Sequence, residues 1–132
     1  MDLMLVKDHM TRNLVTLRPD MDIMEAVNIL CKNRVPGAPV MDQLGNFVGI
    51  LAEKDCLNAV LNAAYHEERG GRVDDFMHQH VDVVEAEDNI TDVANRMITS
   101  GYRGMPVLNN NILVGMINRS DILKAIIKCT QS

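Results

Sequence analysis

The chain states its pattern twice, and that duplication restricts its fold more than any other feature. "VKDHMTRNLVTL" from Val6 stands against "VDDFMHQHVDVV" from Val73, and "MDIMEAVNILCKNRVPGAPVMD" from Met21 against "DNITDVANRMITSGYRGMPVLN" from Asp88. The offset is 67 residues up to the turn after Asp42 and 66 beyond it, because "QLGN" is one residue longer than its counterpart. The closing segments "FVGILAEKDCLNAVL" and "LVGMINRSDILKAII" pair without gaps. A one-residue slip confined to a Gly/Asn-rich turn is how hairpin loops vary. Whatever one half folds into, the other half must fold into as well.

Each repeat reads β-α-β-β-α. A short strand (Leu14 to Leu17; Val81 to Val84) leads into a helix whose apolar stripe is Ile23, Ala26, Val27, Leu30 and Cys31 in one copy. The other copy has Ile90, Val93, Ala94, Met97 and Ile98. Asp22 with Glu25, and Asn89 with Asp92, form capping pairs at the helix starts. A hairpin follows, Ala38 to Met41 with Phe47 to Leu51, and Met105 to Leu108 with Leu113 to Ile117. The last helix is predicted to bury Leu57, Val60, Leu61 and Ala64, matched by Leu123, Ile126 and Ile127. One repeat of about 55 ordered residues buries too little to be comfortably stable alone. The expected fold is therefore α/β (α+β): repeats 1–66 and 67–132, packed sheet to sheet with pseudo-two-fold symmetry around a shared core. "NAAYHEERGGR" between them reads as a helix end, a solvated charge cluster and a Gly-Gly linker.

Composition narrows the function. Hydrophobic residues make up 47% and aromatics 3% with no Trp, so the core is aliphatic, with ten Met as flexible gap-fillers. A formal charge of −5 argues against nucleic acid, which normally demands a basic face. The start "MDLMLVKDHM" lacks the basic and apolar regions of a signal peptide, and no apolar run approaches a membrane span. Cys31, Cys56 and Cys129 are odd in number, widely spaced and on helical patterns, which predicts buried, reduced thiols in a cytoplasmic protein.

"VKDHMTRNLVTLRPD" with "VDDFMHQHVDVVEAED", "RVPGAPVMD" with "YRGMPVLN", and the Gly-x-x-x-x-x-Asp pair "GILAEKD" and "GMINRSD" give the chain a family resemblance. It resembles a tandem pair of CBS domains, a Bateman module, over essentially its whole length. The resemblance implies two clefts between the repeats that bind adenosine-containing molecules: AMP, ADP, ATP, S-adenosylmethionine or cyclic dinucleotides. The family's Asp accepts from the ribose hydroxyls, and a Thr or Ser three residues earlier reaches ribose or phosphate. Carried onto this chain, one cleft pairs Asn118, Ser120 and Asp121 with Thr11, Val15, Val35 and Pro36. The other pairs Ala52, Lys54 and Asp55 with His78, Asp82, Tyr102 and Arg103.

The chemistry agrees in outline. A helix N-terminus suits phosphate, and a carboxylate is a natural acceptor for a vicinal diol. Arg34, Arg103, Arg119 and Lys54 are cations for phosphate. Asp55 and Asp121 also stand where a carboxylate merely favours the helix dipole. At the family's Thr/Ser position stand Ala52 and Asn118, and only Asn118 can cap a helix or bond a ligand. Asp82 would add negative charge near any phosphate in the Asp55 cleft. The Asp121 cleft is therefore the preferred nucleotide site.

His78-Gln79-His80 lacks a third ligand, so no metal is assigned and the histidines are read as turn or solvent-exposed residues. Cys56 has no His or Asn constellation and is read as a buried thiol. No nucleophile–base pair, paired general-acid carboxylates or phosphate loop points to an enzyme. The expectation is a regulatory module that needs no cofactor and takes an adenine nucleotide or S-adenosylmethionine as its regulatory ligand. It would act as an energy or metabolite sensor on a separate effector protein. The alternative is a ligand-independent assembly or protein-docking module. Under either, the resemblance implies a homodimer through the helices.

Overall fold

The structure is a computed structural model that describes residues 4–66 and 70–130. The sequence readings that fall on residues 1–3 and 67–69, and on the side chain of Cys129, lie outside the described residues. A 3-10 turn, Val6–Asp8, opens the chain. It is followed by α1 (Ile23–Asn33), the hairpin β1 (Gly37–Met41) and β2 (Phe47–Ala52), and α2 (Glu53–His66). The second copy runs α3 (Val73–Phe76), β3 (Val84–Glu85), α4 (Ile90–Ser100), β4 (Gly104–Asn109), β5 (Ile112–Asn118) and α5 (Arg119–Thr130). The mixed α+β fold and the duplicated element order are those expected. Among the described residues no helix is long and apolar enough to cross a membrane.

The compact units are not the sequence repeats 1–66 and 67–132. One unit joins residues 1–14 to residues 82–132, and the other is Val15–Val81. Each repeat thus gives its first turn to the hairpin of the other. In the first unit Val6 N–H bonds the Asp88 carbonyl at 2.9 Å, and Lys7 N–H bonds that of Ala86 at 2.9 Å. In the second, Val73 N–H bonds Met21 and Asp74 N–H bonds Pro19, both at 3.0 Å. Val6 and Val73 are fully buried, each in its own unit's core. Each unit has its own cluster of buried residues. One is built on Ile90, Val93, Met105, Val107 and Ile117, the other on Leu17, Ile23, Ala26, Val40 and Leu51.

This exchange also shortens the expected first strands. Thr11 and His78 bridge to one unit's hairpin, and the residues that follow Leu14 and Val81 belong to the other unit. Of Leu14 to Leu17 only Leu17 pairs, a parallel bridge to Val40. Val81 to Val84 reduces to β3, parallel to β4. The hairpins β1–β2 and β4–β5 match the prediction within a residue at every end. Each carries a register shift at the same place, between Val40 and Met41 and between Val107 and Leu108.

Asp22 and Asn89 cap α1 and α4, the first through its predicted partner Glu25 and the second through Thr91 instead of Asp92. Asp22 Oδ2 accepts from Glu25 N–H at 3.1 Å, and Asn89 Oδ1 accepts from Thr91 N–H at 2.8 Å. The two helices bury Ile23, Ala26 and Leu30, and Ile90, Val93 and Met97. Cys31 and Ile98 are exposed instead of buried. Eight residues after the first buried position the helix has turned about 80° off that face. Both helices end in a left-handed residue, Gly101 in α4 but Arg34, at φ 55°, in α1.

A larger correction concerns α2 and α5. Their inward residues are Cys56 and Ala59, and Ile122 and Ala125. Leu57, Leu61, Leu123 and Ile127 are 63%, 49%, 59% and 50% exposed, Val60 and Ala64 are exposed too, and Ile126 is half-buried. The inward face of α2 is made of small residues and that of α5 of one small residue beside Ile122, while the remaining Leu and Ile side chains named above point outward or lie half-buried. Of the two thiols described, Cys56 is buried and Cys31 is not.

Candidate ligand-binding corners

Both candidate aspartates stand in the first turn of a helix that grows directly out of a strand. β2 ends at Ala52 and α2 starts at Glu53, while β5 ends at Asn118 and α5 starts at Arg119. From the third helical position a carboxylate reaches back to the amide at the strand end. Asp55 Oδ2 accepts from Ala52 N–H at 2.8 Å, and Asp121 Oδ2 accepts from Asn118 N–H at 2.9 Å. This satisfies a donor that the helix cannot. The structural role is therefore real in both copies.

What differs is the group across from each carboxylate. Thr11 Oγ1 lies 3.3 Å from Asp121 Oδ1 and 3.2 Å from Oδ2. His78 Nδ1 lies 2.9 Å from Asp55 Oδ1. Thr11 and His78 are equivalent residues of the two repeats, 67 positions apart. Each is delivered by a two-way backbone bridge to a strand. Thr11 N–H bonds the Met116 carbonyl at 2.8 Å and Met116 N–H returns at 2.9 Å. His78 N–H bonds the Ile50 carbonyl at 2.8 Å and Ile50 N–H returns at 3.0 Å.

The glycines of "GILAEKD" and "GMINRSD" make those bridges possible. A Cβ at Gly49 would stand 2.5 Å from the His78 carbonyl oxygen, and one at Gly115 2.8 Å from that of Thr11. The motif thus has a mechanical reading: its first residue admits the incoming backbone, and its seventh receives the incoming side chain. The sequence reading weighed the aspartates and missed the glycines. An isolated Gly inside a strand pattern was the available signal, since it marks close backbone approach.

Electrostatics separate the two corners further. Asp55 is 2% exposed and is the one charged residue in the buried set among the described residues. Burial pushes its carboxyl above the ordinary aspartate value, against the opposing pull of the Ala52 N–H, His78 and Lys54. Burial, with the Asp55 charge next to it, also pushes up the Cys56 thiol, which disfavours the thiolate and leaves an inert side chain. Asp121 is half-buried, with one side towards solvent.

The other predicted residues distribute as follows. Asn118 is half-buried and its carboxamide oxygen lies against Gly104, where a Cβ would stand. Ser120 and Lys54 are exposed at the helix starts. Thr11, Asn118, Ser120 and Asp121 belong to one unit, and Val15, Val35 and Pro36 to the other. Ala52, Lys54, Asp55 and His78 share a unit, whereas Asp82, Tyr102 and Arg103 belong to its counterpart. Tyr102 Oη donates to Asp82 Oδ2 at 2.9 Å. Arg119 donates to the carbonyls of Tyr102 and Gly101 at 2.9 Å each, closing the end of α4 rather than offering its charge to a phosphate. His80 is exposed, and among the described residues no three His, Cys, Asp or Glu side chains gather as a metal site.

With this geometry in place, the family comparison is decisive. The CBS domain model matches residues 6–62 and 73–128, both repeats. The chain is a tandem CBS-domain protein. An uncharacterized protein of Methanocaldococcus jannaschii, MJ1225, is 30% identical over 90% of this chain. The chain spans 41% of that relative's length, but 92% of a CBS domain-containing protein of Dictyostelium discoideum that is also 30% identical. Among solved structures, CBSX2 in complex with AMP superposes with a TM-score of 0.85 at 26% identity, covering 96% of this chain and 98% of that one. The CBS domain pair of MJ0100, in complex with 5-methylthioadenosine and S-adenosyl-L-methionine, has a TM-score of 0.81 at 26% identity, covering 97% and 99%.

Proposed function

We propose that this CBS pair is a regulatory, non-catalytic module that binds an adenosine-containing ligand, with Asp121 as the ribose acceptor. The observation that carries the reading is the Asp121 corner: a half-buried carboxylate in the first turn of α5 whose Oδ2 takes the Asn118 amide at 2.9 Å and which otherwise receives only the long, shared bond from Thr11 among the bonds described. Such a carboxylate keeps acceptor capacity for a vicinal diol, and the neighbouring amides of the helix start suit a phosphate. The bound AMP, 5-methylthioadenosine and S-adenosylmethionine in the similar CBS pairs support the ligand class. AMP, ADP, ATP, S-adenosylmethionine and cyclic dinucleotides are the set to test. The module would act in the cytoplasm on a separate effector protein, as an energy or metabolite sensor. A ligand shifts such an equilibrium only by its differential affinity for the two states.

A thermal-shift panel of these ligands tests the proposal. A binder present at 100 times its Kd stabilises by about 2.7 kcal/mol, a plain shift of the midpoint. If no adenosine ligand moves the midpoint at millimolar concentration, the sensor reading fails.

A second reading, ligand-independent assembly, is favoured by the outward faces of α2 and α5. Leu57, Leu61, Leu123 and Ile127 form apolar surface at equivalent places on two equivalent helices. Beside α5, Ala94, Ile98, Leu123 and Ile126 line an apolar groove of about 440 Å³. A second copy of the chain is the occupant such repeated surface suits. Assembly and ligand binding are compatible, and a flat thermal-shift panel would leave assembly alone.

A further inference from the structure

The two repeats deliver different side chains to equivalent carboxylates, and the difference has the form of a gate. At Asp121, where Oδ2 likewise accepts from the Asn118 amide at 2.9 Å, the incoming group is a hydroxyl 3.3 Å from Oδ1 and 3.2 Å from Oδ2, beyond the usual O–H···O range, so Oδ1 has no short bond among those described. So long a bond is easily given up, and the Thr11 hydroxyl can rotate to donate to or accept from a ligand instead. At Asp55 the imidazole makes a bond of 2.9 Å to Oδ1, while the Ala52 amide takes Oδ2 at 2.8 Å. Both oxygens therefore have close partners, and the residue is 2% exposed. A diol has no room to donate to this carboxylate unless the imidazole leaves.

The imidazole is placed to leave. Its side chain is 57% exposed, so its outer side meets solvent rather than packed protein. Its backbone is pinned by the Ile50 bridge over Gly49, which confines any movement to the side chain. At the family's Thr/Ser position the Asp55 corner has Ala52, which offers a ligand no replacement contact.

We propose that residue 78 gates the Asp55 corner: His78 holds it closed to diol ligands, whereas Thr11 leaves the Asp121 corner open. This rests on the reading that Asp121 accepts an adenosine ligand. It goes further, in making the identity of one residue per repeat decide how many ligands a chain binds.

Exchange of the two residues tests it, by calorimetric titration with AMP and with S-adenosylmethionine. Wild type is expected to bind one ligand per chain. His78→Thr is expected to bind two, and Asp55→Asn in that background returns the count to one. The converse variant Thr11→His is expected to weaken binding at Asp121 at least tenfold. His78→Ser repeats the test with a smaller hydroxyl should Thr pack poorly, and thermal melts establish that each variant is folded. If wild type binds one ligand and folded His78→Thr and His78→Ser give its isotherm, the gate is overturned while the sensor reading stands. Two equal sites in wild type overturn the gate as well. Should neither wild type nor the opened variants bind either ligand, the gate is overturned, while the sensor reading falls only if the whole adenosine panel fails to bind.

Discussion

Asp55 holds a carboxylate almost wholly out of water, and its protonation should be felt in the stability of the fold. Burial raises its pKa above the ordinary aspartate value of 3.8. Between that value and the raised one, the folded chain binds more protons at this site than the unfolded chain does. Stability contributed here is present at low pH and is lost as pH rises through the window. Asp55→Asn removes the titration, so the stability of wild type relative to the variant should fall as pH rises through that range. Urea midpoints measured for both proteins across the acid range check this. A difference that grows with pH would mean that the His78 ion pair outweighs burial. A second residue-scale prediction concerns Arg34, which sits in the left-handed region at φ 55° where the equivalent residue is Gly101. Arg34→Gly should stabilise by about 1 kcal/mol, the usual cost of a side chain in that conformation, and an unchanged urea midpoint would count against it.

The elements were legible wherever local periodicity decides them. The α1 and α4 stripes, the caps at Asp22 and Asn89 and both hairpins follow from spacing alone, because each depends on neighbours in sequence. Periodicity failed on α2 and α5 for a physical reason. Most of their large apolar residues face outward, and their core contacts are made by Cys56 and Ala59, and by Ile122 and Ala125, a face that the stripe of Leu57, Leu61, Leu123 and Ile127 passes over. It failed as well on the exchange of the opening turns, since residues 6–11 and 73–78 carry the same pattern whichever hairpin receives them. The pairing of His78 with Asp55 was anticipated only through the family resemblance, and Gly49 and Gly115 are the local trace of how it is built. These glycines carry their own prediction. Gly49→Ala and Gly115→Ala each force a Cβ against a backbone carbonyl, and should cost about 1–3 kcal/mol as overpacking does. Urea denaturation reads this directly, and a loss below a few tenths would show that the bridges yield easily.

For the whole molecule, the two proposals give separable outcomes. If the outward faces of α2 and α5 bind a second copy, the double variant Leu123→Glu with Ile127→Glu should halve the mass seen by light scattering without unfolding the chain. Both residues are at least half exposed, so the substitutions burden an interface and not the core. A mass unchanged by the double variant would remove these faces from any assembly. The central claim, that duplication has left two aspartates in matching places with unequal roles, is tested most directly by AMP titration of Asp121→Ala and Asp55→Ala beside wild type. The account predicts that Asp121→Ala weakens binding at least tenfold while Asp55→Ala leaves it within about twofold, a free-energy difference of at least about 1.4 kcal/mol at Asp121. The opposite ranking, or equal losses at both positions, would contradict it.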